Sequence, residues 1–237
     1  MVTLNNTTIA ALLAVGLAAP ASAQQVTTFN GPCDASAAVA LDAAHFIVAN
    51  DENNTLHVYR QDQPTPVASL NLANFLGTAA DEESDIEGAT VIGSRIYWIT
   101  SHGRNSKGKE RPARQRFFAT DLIPGQPPTV KPVDRAYTDL LRDMLAAETL
   151  KPYRLGDAAR LAAEADGGLN IEGLAATAGG KLLIGLRNPL PQQRALIIPL
   201  DNPDEVIVGH RARFSEPILL DLGQRGIRSI ERVGSSY

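Results

Sequence analysis

Short apolar runs recur along the chain, and in many of them apolar and polar residues alternate with the two-residue period of β-strands. Two of these runs begin almost identically, because residues 85–89 read DIEGA and residues 170–174 read NIEGL. Side chains alternate between the two faces of a strand, so the first and third residues of each motif are predicted to share one face. A strand that only builds the fold has no need of a carboxylate at the same place twice. Glu87 and Glu172 are therefore predicted to have a common role.

The motif recurs more loosely at residues 34–37 (DASA) and 226–229 (GIRS). Successive copies start 51, 85 and 56 residues apart, and a unit of about fifty residues has the size of a four-stranded propeller blade. We therefore predict an all-β fold, a β-propeller of four-stranded blades. We call the third position of the motif the central slot; its occupants in the four copies are Ser36, Glu87, Glu172 and Arg228.

Turn-forming residues divide the chain into three complete blades and the start of a fourth. The blades are predicted at residues 33–72, 85–120 and 170–222, and the fourth unit begins at residue 226. A propeller needs at least four blades to close, and native proteins avoid open sheet edges. We therefore expect the chain to be an incomplete propeller.

The long interval between the second and third motifs is predicted to hold a helical hairpin, at about residues 134–166. Between Tyr137 and Leu145, apolar residues recur at three- and four-residue steps, as on one face of a helix. A second, shorter helix is predicted at about residues 157–165, ending before the two glycines at 167–168. Such an insertion is expected to cap one face of the propeller or to lie over a groove.

The first 23 residues are predicted to be a secretory signal peptide, which leaves residues 24–237 as the propeller domain. An apolar run at 9–19 precedes an A-x-A cleavage site at 21–23, although no lysine or arginine precedes that run. The run is too short to span a bilayer, and no other segment is long and apolar enough to do so. We expect a protein exported to the periplasm or the medium, without a membrane span.

Composition narrows the classes of partner. A net charge of −4 and an isoelectric point near 5.6 argue against a nucleic-acid partner. The single cysteine, Cys33, has no partner in the sequence for a disulfide, so it is either a buried thiol or pairs with a group outside this sequence. The oligomeric state stays open.

Seven segments carry a resemblance to a known family: 33–37, 46–51, 85–88, 97–105, 168–175, 183–189 and 226–231. In this order they resemble the bacterial family called domain of unknown function 3616, over nearly the whole chain after residue 23. The resemblance implies an exported β-propeller that generally continues past the point where this chain ends, and it implies no particular activity. The blade pattern is also similar to that of phytase-like and esterase-like propellers.

Several common site types are absent from the sequence, including Gly-rich nucleotide loops, GxSxG, HExxH and Cys/His clusters. Among the four histidines, His102 is the candidate catalytic residue, because it follows Ser101 and precedes a basic loop at residues 104–116. A basic loop suits an anionic ligand, although it also suits a solvated loop that balances nearby acids. The predicted set for a small anionic ligand is His102, Arg104, Arg187, Asn188 and Arg228.

Carboxylates from separate repeats are predicted to meet at the propeller axis, where like charges need compensation. The candidate metal ligands are Asp85, Glu87 and Glu172, and calcium is the candidate cofactor because it accepts many oxygen ligands in irregular geometry. Arg228 offers another explanation, a salt-bridged channel in which arginine neutralises the glutamates without a metal. The sequence leaves both open.

Two classes of function follow. The first is a non-catalytic ligand-binding or scaffold module with an acidic and arginine-lined central channel. The second is a calcium-dependent hydrolase of an anionic ester, either phosphoesterase-like or esterase-like. No nucleophile is evident, so the sequence does not decide whether the protein is an enzyme.

Overall fold

A computed structural model describes residues 26–32, 34–50, 52–79 and 82–237, and within them twelve strands form three antiparallel four-stranded sheets. In each sheet the strands follow one another in chain order, as in a propeller blade. The three sheets described here do not close into a ring, so the predicted class, an incomplete β-propeller, is confirmed. The predicted signal peptide and Cys33 lie outside the described residues.

The elements follow the predicted first and third blades, whereas the second blade extends beyond the predicted end at residue 120, because its fourth strand lies at 129–132. The first blade contains β1 (Ala35–Ala40), β2 (His45–Asn50), β3 (Thr55–Arg60) and β4 (Ala68–Asn71). The second contains β5 (Ile86–Ile92), β6 (Arg95–Thr100), β7 (Phe117–Ile123) and β8 (Thr129–Pro132), and the third contains β9 (Asn170–Ala176), β10 (Leu182–Asn188), β11 (Ala195–Leu200) and β12 (Ile218–Leu220). The α-helices within the described ranges are α1 (Ala73–Leu76), α2 (Leu140–Ala146), α3 (Leu155–Ala158) and α4 (Pro203–Ile207).

A β-bulge occurs at the central slot of the innermost strand in each blade. Ser36 is the extra residue in β1, where the register with β2 shifts between Ala35 and Ala37. Glu87 is the extra residue in β5 and Glu172 is the extra residue in β9. A bulge takes its extra residue out of the regular alternation and re-aims its side chain. The central slot is therefore a structural repeat as well as a sequence repeat.

The innermost strands pack side by side, with β1 against β5 and β5 against β9. Glycine permits the close approach, since a Cβ on Gly88 would lie 3.0 Å from the Leu174 Cβ. One unit later, a Cβ on Gly173 would lie 2.9 Å from Cγ2 of Ile230. Leu174 and Ile230 hold the same motif position in successive units. The segment 226–231 thus docks on the third blade as β9 docks on the second.

The insertion before β9 is only partly as predicted. Helix α2 lies where the first helix was expected, and it buries Leu140 and Met144. The prediction of a second helix at 157–165 is wrong, because α3 ends at Ala158 and turns follow. The backbone leaves the helix there because residues 162–163 pair with Arg104 of the basic loop. None of the helices in the described ranges has the length and hydrophobicity needed to cross a bilayer.

Two hydrophobic clusters share the second blade. Trp98 and Phe118 pack with residues of the first blade, such as Leu56. Tyr97 and Phe117 belong to the other cluster, with the third blade and the helical insertion. Consecutive residues of β6 and of β7 thus face opposite neighbours, as expected for a sheet that is buried on both faces.

Candidate ligand-binding site

A cavity of about 700 Å³ lies where the innermost strands begin and where the basic loop at 104–116 crosses them. We call it the axial cavity. All four central-slot residues line it, and so do two of the predicted ligand-binding arginines, Arg104 and Arg187. The other charged or amide side chains of its wall are Asp34, Glu83, Asp85, Asn105, Lys107, Arg111, Arg114, Glu164 and Asn170.

Glu172 is the most deeply buried carboxylate of the axial cavity, with 5% of its surface exposed. Its Oε1 accepts hydrogen bonds from Asn170 Nδ2 at 2.8 Å and from Arg187 Nη1 at 2.9 Å. Its Oε2 lies 2.8 Å from Nε of Arg228. The bond to Glu172 raises the pKa of Arg187 above its usual value. A buried carboxylate is costly unless it is paired, and here two guanidinium groups pair with it.

Asp85 forms the second charge cluster, at the entrance to β5. Its backbone adopts a left-handed conformation with φ of 61°, and its carboxylate lies 2.9 Å from Nη1 of Arg114. Arg114 also forms an ion pair with Glu83. Burial raises the pKa of the Asp85 carboxyl above 3.8, although a hydrogen bond with Ser101 and the Arg114 charge lower it in part. A guanidinium of the basic loop thus compensates this carboxylate.

The three predicted metal ligands, Asp85, Glu87 and Glu172, do line the same cavity. Two of them form ion pairs with arginines, Asp85 with Arg114 and Glu172 with Arg228. Within the described residues, no group of three histidine, cysteine or acidic side chains is arranged to hold a metal ion. Calcium binding in the axial cavity stays a prediction, and it requires that Arg114 and Arg228 move away from the carboxylates.

Several cations of the axial cavity keep hydrogen-bond donors that no carboxylate occupies. In the described part of the chain, Lys107 and Arg111 are exposed and form no ion pair. Arg228 forms an ion pair with Glu172 through Nε, yet 70% of its side chain is exposed. Planar guanidinium groups and ammonium groups with free donors are the groups that bind carboxylates and phosphates.

Two buried polar atoms of the cavity wall have no hydrogen-bond partner within the described residues. They are Oδ1 of Asn170, an acceptor, and Nε of Arg114, a donor. Asn170 is only 5% exposed. Buried polar atoms are almost always satisfied by protein, water or ligand. Within the described residues, these two atoms are exceptions to that rule.

Two of the predicted ligand-binding residues lie apart from the axial cavity. Asn188 donates to the backbone oxygen of Ala163, at 3.2 Å. His102 is 2% exposed and lines a separate cavity of about 260 Å³, bounded by the basic loop and the helical insertion. Burial lowers the pKa of His102 to about 4. The alternation of side chains on β6 did not predict that His102 lies apart from the axial cavity. His102 is just past the strand, where its backbone adopts a left-handed conformation with φ of 54°.

Sequence reasoning missed the roles of Arg114 and Glu83. Arg114 was visible only as one cation among six in the basic loop, and Glu83 as part of an acidic segment before the second blade. Their contact with Asp85 depends on how the loop folds back over β5, for which the sequence carries no periodic signal. For Asn170 the sequence did carry a local signal of its place in the site, since Asn170 precedes Glu172 by two residues in a repeated motif.

The blades, their repeated bulges and the cavity at one end of their innermost strands define an incomplete β-propeller with a charged axial mouth. The chain belongs to the DUF3616 family, described as proteins of unknown function, whose model matches residues 34–120 and 134–235. The resemblance found in the sequence is therefore confirmed. No curated protein matches the chain.

Solved propeller-like structures resemble the chain at low identity. Glutaminyl cyclase from Myxococcus xanthus is 14% identical over 88% of this chain and 62% of its own, with a TM-score of 0.48. The WD40 repeats of RRP9 are 8% identical over 86% of this chain and 44% of their own, with a TM-score of 0.44. The chain thus spans less than two thirds of either structure.

Proposed function

We propose that this exported propeller is a binding module that takes a small anionic ligand in the axial cavity. The observation that carries the proposal is the division of charge in the wall. The half-buried carboxylate of Asp85 and the buried carboxylate of Glu172 are neutralised by arginines, whereas Lys107, Arg111 and the exposed side of Arg228 keep donors available. Cations that remain accessible beside neutralised carboxylates favour an anion.

The two unsatisfied buried atoms, Asn170 Oδ1 and Arg114 Nε, narrow the class of ligand. An acceptor in the wall calls for a donor on the ligand, and a donor in the wall calls for an acceptor. An anion that also carries hydroxyl groups supplies both. The cavity volume of about 700 Å³ is in the range that accommodates small organic molecules. We therefore infer a hydroxylated organic anion.

The test is calorimetric titration with citrate, a hydroxylated tricarboxylate, and with inorganic phosphate as a smaller anion. Arg228→Gln is expected to weaken citrate binding about ten-fold, because a charge-assisted hydrogen bond to a ligand is lost. Arg194→Gln is the matched control, since Arg194 is exposed and does not line the cavity. Binding should also weaken as salt is added.

Two results contradict this proposal. One is the absence of heat with both anions at millimolar concentration. The other is equal affinity for citrate in the wild type and in Arg228→Gln. Because 70% of the Arg228 side chain is exposed, its substitution is expected to leave the fold intact, so a loss of binding reports the site.

A calcium-dependent hydrolase of an anionic ester is the second candidate, favoured by the presence of Asp85, Glu87 and Glu172 on one cavity. Asp85, Glu87 and Glu172 would then hold a calcium ion in place of Arg114 and Arg228, and the ion would supply Lewis-acid polarisation of the ester. Calcium titration of the wild type and of Glu87→Gln tests it. Heat in the wild type that is lost in the variant supports the candidate, and no heat in either removes it.

A further inference from the structure

A second cavity, of about 260 Å³, lies between the basic loop at 104–116 and the helical insertion at 134–166. We call it the insertion cavity. Its wall is apolar on the side of α2 and α3, where Leu141, Leu145 and Ala159 line it, and polar on the side of the loop. His102 lies at the polar side, and Arg111 and Arg160 are exposed at the same cavity.

The tautomer of His102 follows from the one hydrogen bond that its ring forms within the described residues. Nδ1 lies 2.8 Å from the backbone oxygen of Thr100, and a carbonyl oxygen only accepts, so Nδ1 carries the proton and donates it. Burial keeps the ring neutral at physiological pH, since its pKa is lowered to about 4. Nε2 is then an acceptor, and it has no hydrogen-bond partner in the described residues.

An unsatisfied acceptor on a side chain that is only 2% exposed is unusual in a folded protein. His102 lines the insertion cavity, so a molecule bound there can donate a hydrogen bond to Nε2 after a small shift of the wall uncovers that atom. Leu145 is 43% exposed at the same cavity, so it offers apolar surface that a hydrocarbon group can cover. Within the described ranges, Asp157 is the only ion-pair partner of Arg160, at 4.0 Å, and 79% of the Arg160 side chain is exposed.

We propose that the insertion cavity is a second binding site, which takes a small hydroxy acid with an apolar tail. The hydroxyl donates to Nε2 of His102, the hydrocarbon covers Leu145, and the carboxylate pairs with Arg160 or Arg111. The site is distinct from the axial cavity, although Arg104 and Arg111 line both and form the wall between them.

The probe is 2-hydroxy-4-methylpentanoate, and the readout is the 15N resonance of His102 Nε2 in the wild-type protein. Binding is expected to move this resonance as the lone pair accepts a hydrogen bond, with saturation in the millimolar range. The analogue without the hydroxyl, 4-methylpentanoate, is expected to bind about ten-fold more weakly, because it leaves Nε2 unsatisfied. Equal affinity for the two acids, or no shift of Nε2, overturns the proposal.

Matched variants separate this site from a general effect on the fold. Leu145→Gln is expected to weaken binding several-fold, whereas Leu161→Gln is expected to change nothing. Both leucines are similarly exposed, at 43% and 44%, but Leu161 does not line the cavity. Equal binding by Leu145→Gln and the wild type overturns the proposal. Arg228→Gln is expected to leave the Nε2 shift unchanged, so this test and the citrate test can fail independently.

Discussion

At the scale of single residues, the carboxylates of the axial cavity differ in how their charge is compensated. Glu172 accepts hydrogen bonds from Asn170 and Arg187 and forms an ion pair with Arg228. Asp85 has one strong cationic partner, Arg114, and shares it with Glu83. Burial therefore dominates at Asp85, and it raises the pKa of that carboxyl.

This shift predicts an unusual pH dependence for Asp85. Its 13Cγ resonance is expected to titrate with a midpoint above 3.8, and Arg114→Gln is expected to move the midpoint higher, since the guanidinium charge lowers it. A raised carboxyl pKa means that the folded state holds the proton more tightly than the unfolded state. The contribution of Asp85 to the free energy of unfolding is thus greatest below pH 3.8 and falls as the pH rises to the folded-state pKa. Asp85→Asn is expected to remove that slope.

Asp121 provides an internal control for this titration. The hydrogen bond with Arg95 lowers the pKa of Asp121, and Asp121 lies on β7, outside the axial cavity. Its midpoint is expected below 3.8 and unchanged in Arg114→Gln. A midpoint for Asp85 at or below 3.8 would show that its ion pair outweighs its burial.

At the scale of elements, the segment 226–231 depends on two glycines of the third blade. A Cβ on Gly185 would lie 2.6 Å from Cγ2 of Ile227, and one on Gly173 would lie 2.9 Å from the same atom. The amide of Ile227 donates to the oxygen of Leu186, at 2.9 Å. This docking positions Arg228 beside Glu172, so the geometry of the axial cavity rests on it.

Gly185→Ala is therefore expected to displace this segment and to reduce the free energy of unfolding by about 1–3 kcal/mol, as overpacking usually does. Hydrogen exchange at the Ile227 amide is expected to accelerate. Gly179→Ala serves as the control, because the nearest atom to its new Cβ is 4.0 Å away. Unchanged exchange in Gly185→Ala would mean that the segment tolerates the methyl group.

The elements also show which features the sequence can predict. The repeated DIEGA and NIEGL motifs predicted the innermost strands, because alternation and turn residues are local signals. The bulges at Glu87 and Glu172 were not predictable, since only one or two residues of each strand precede its glutamate, too few to show that the alternation changes phase there. The prediction of a helix at 157–165 was wrong because residues 162–163 pair with Arg104, a long-range contact that overrides local helix propensity.

At the scale of the whole molecule, the second blade joins the two hydrophobic clusters. Leu56 of the first blade shares one cluster with Trp98, and Ile184 of the third blade belongs to the other, together with Tyr97. Because adjacent residues of β6 belong to different clusters, loss of packing on either side is transmitted to the same strand. We expect the three blades to unfold as one cooperative unit.

Leu56→Ala and Ile184→Ala test this cooperativity. Each side chain has 0% of its surface exposed, and each truncation is expected to cost about 2–5 kcal/mol. Fluorescence of Trp98, the single tryptophan, is expected to report both losses, in step with far-UV circular dichroism. Val208→Ala is the control, since Val208 is 54% exposed. If Ile184→Ala leaves the unfolding transition measured by Trp98 fluorescence unchanged, the blades unfold as separate units.

The bulges at Ser36, Glu87 and Glu172 have an evolutionary consequence. Each central-slot residue lies outside the one-to-one register of its sheet, so replacing its side chain leaves the interstrand ladder intact. Serine, glutamate and, in the fourth unit, arginine already occupy equivalent places. The mouth of the propeller is thus a set of positions at which substitutions can change the charge of the axial cavity while the scaffold stays the same.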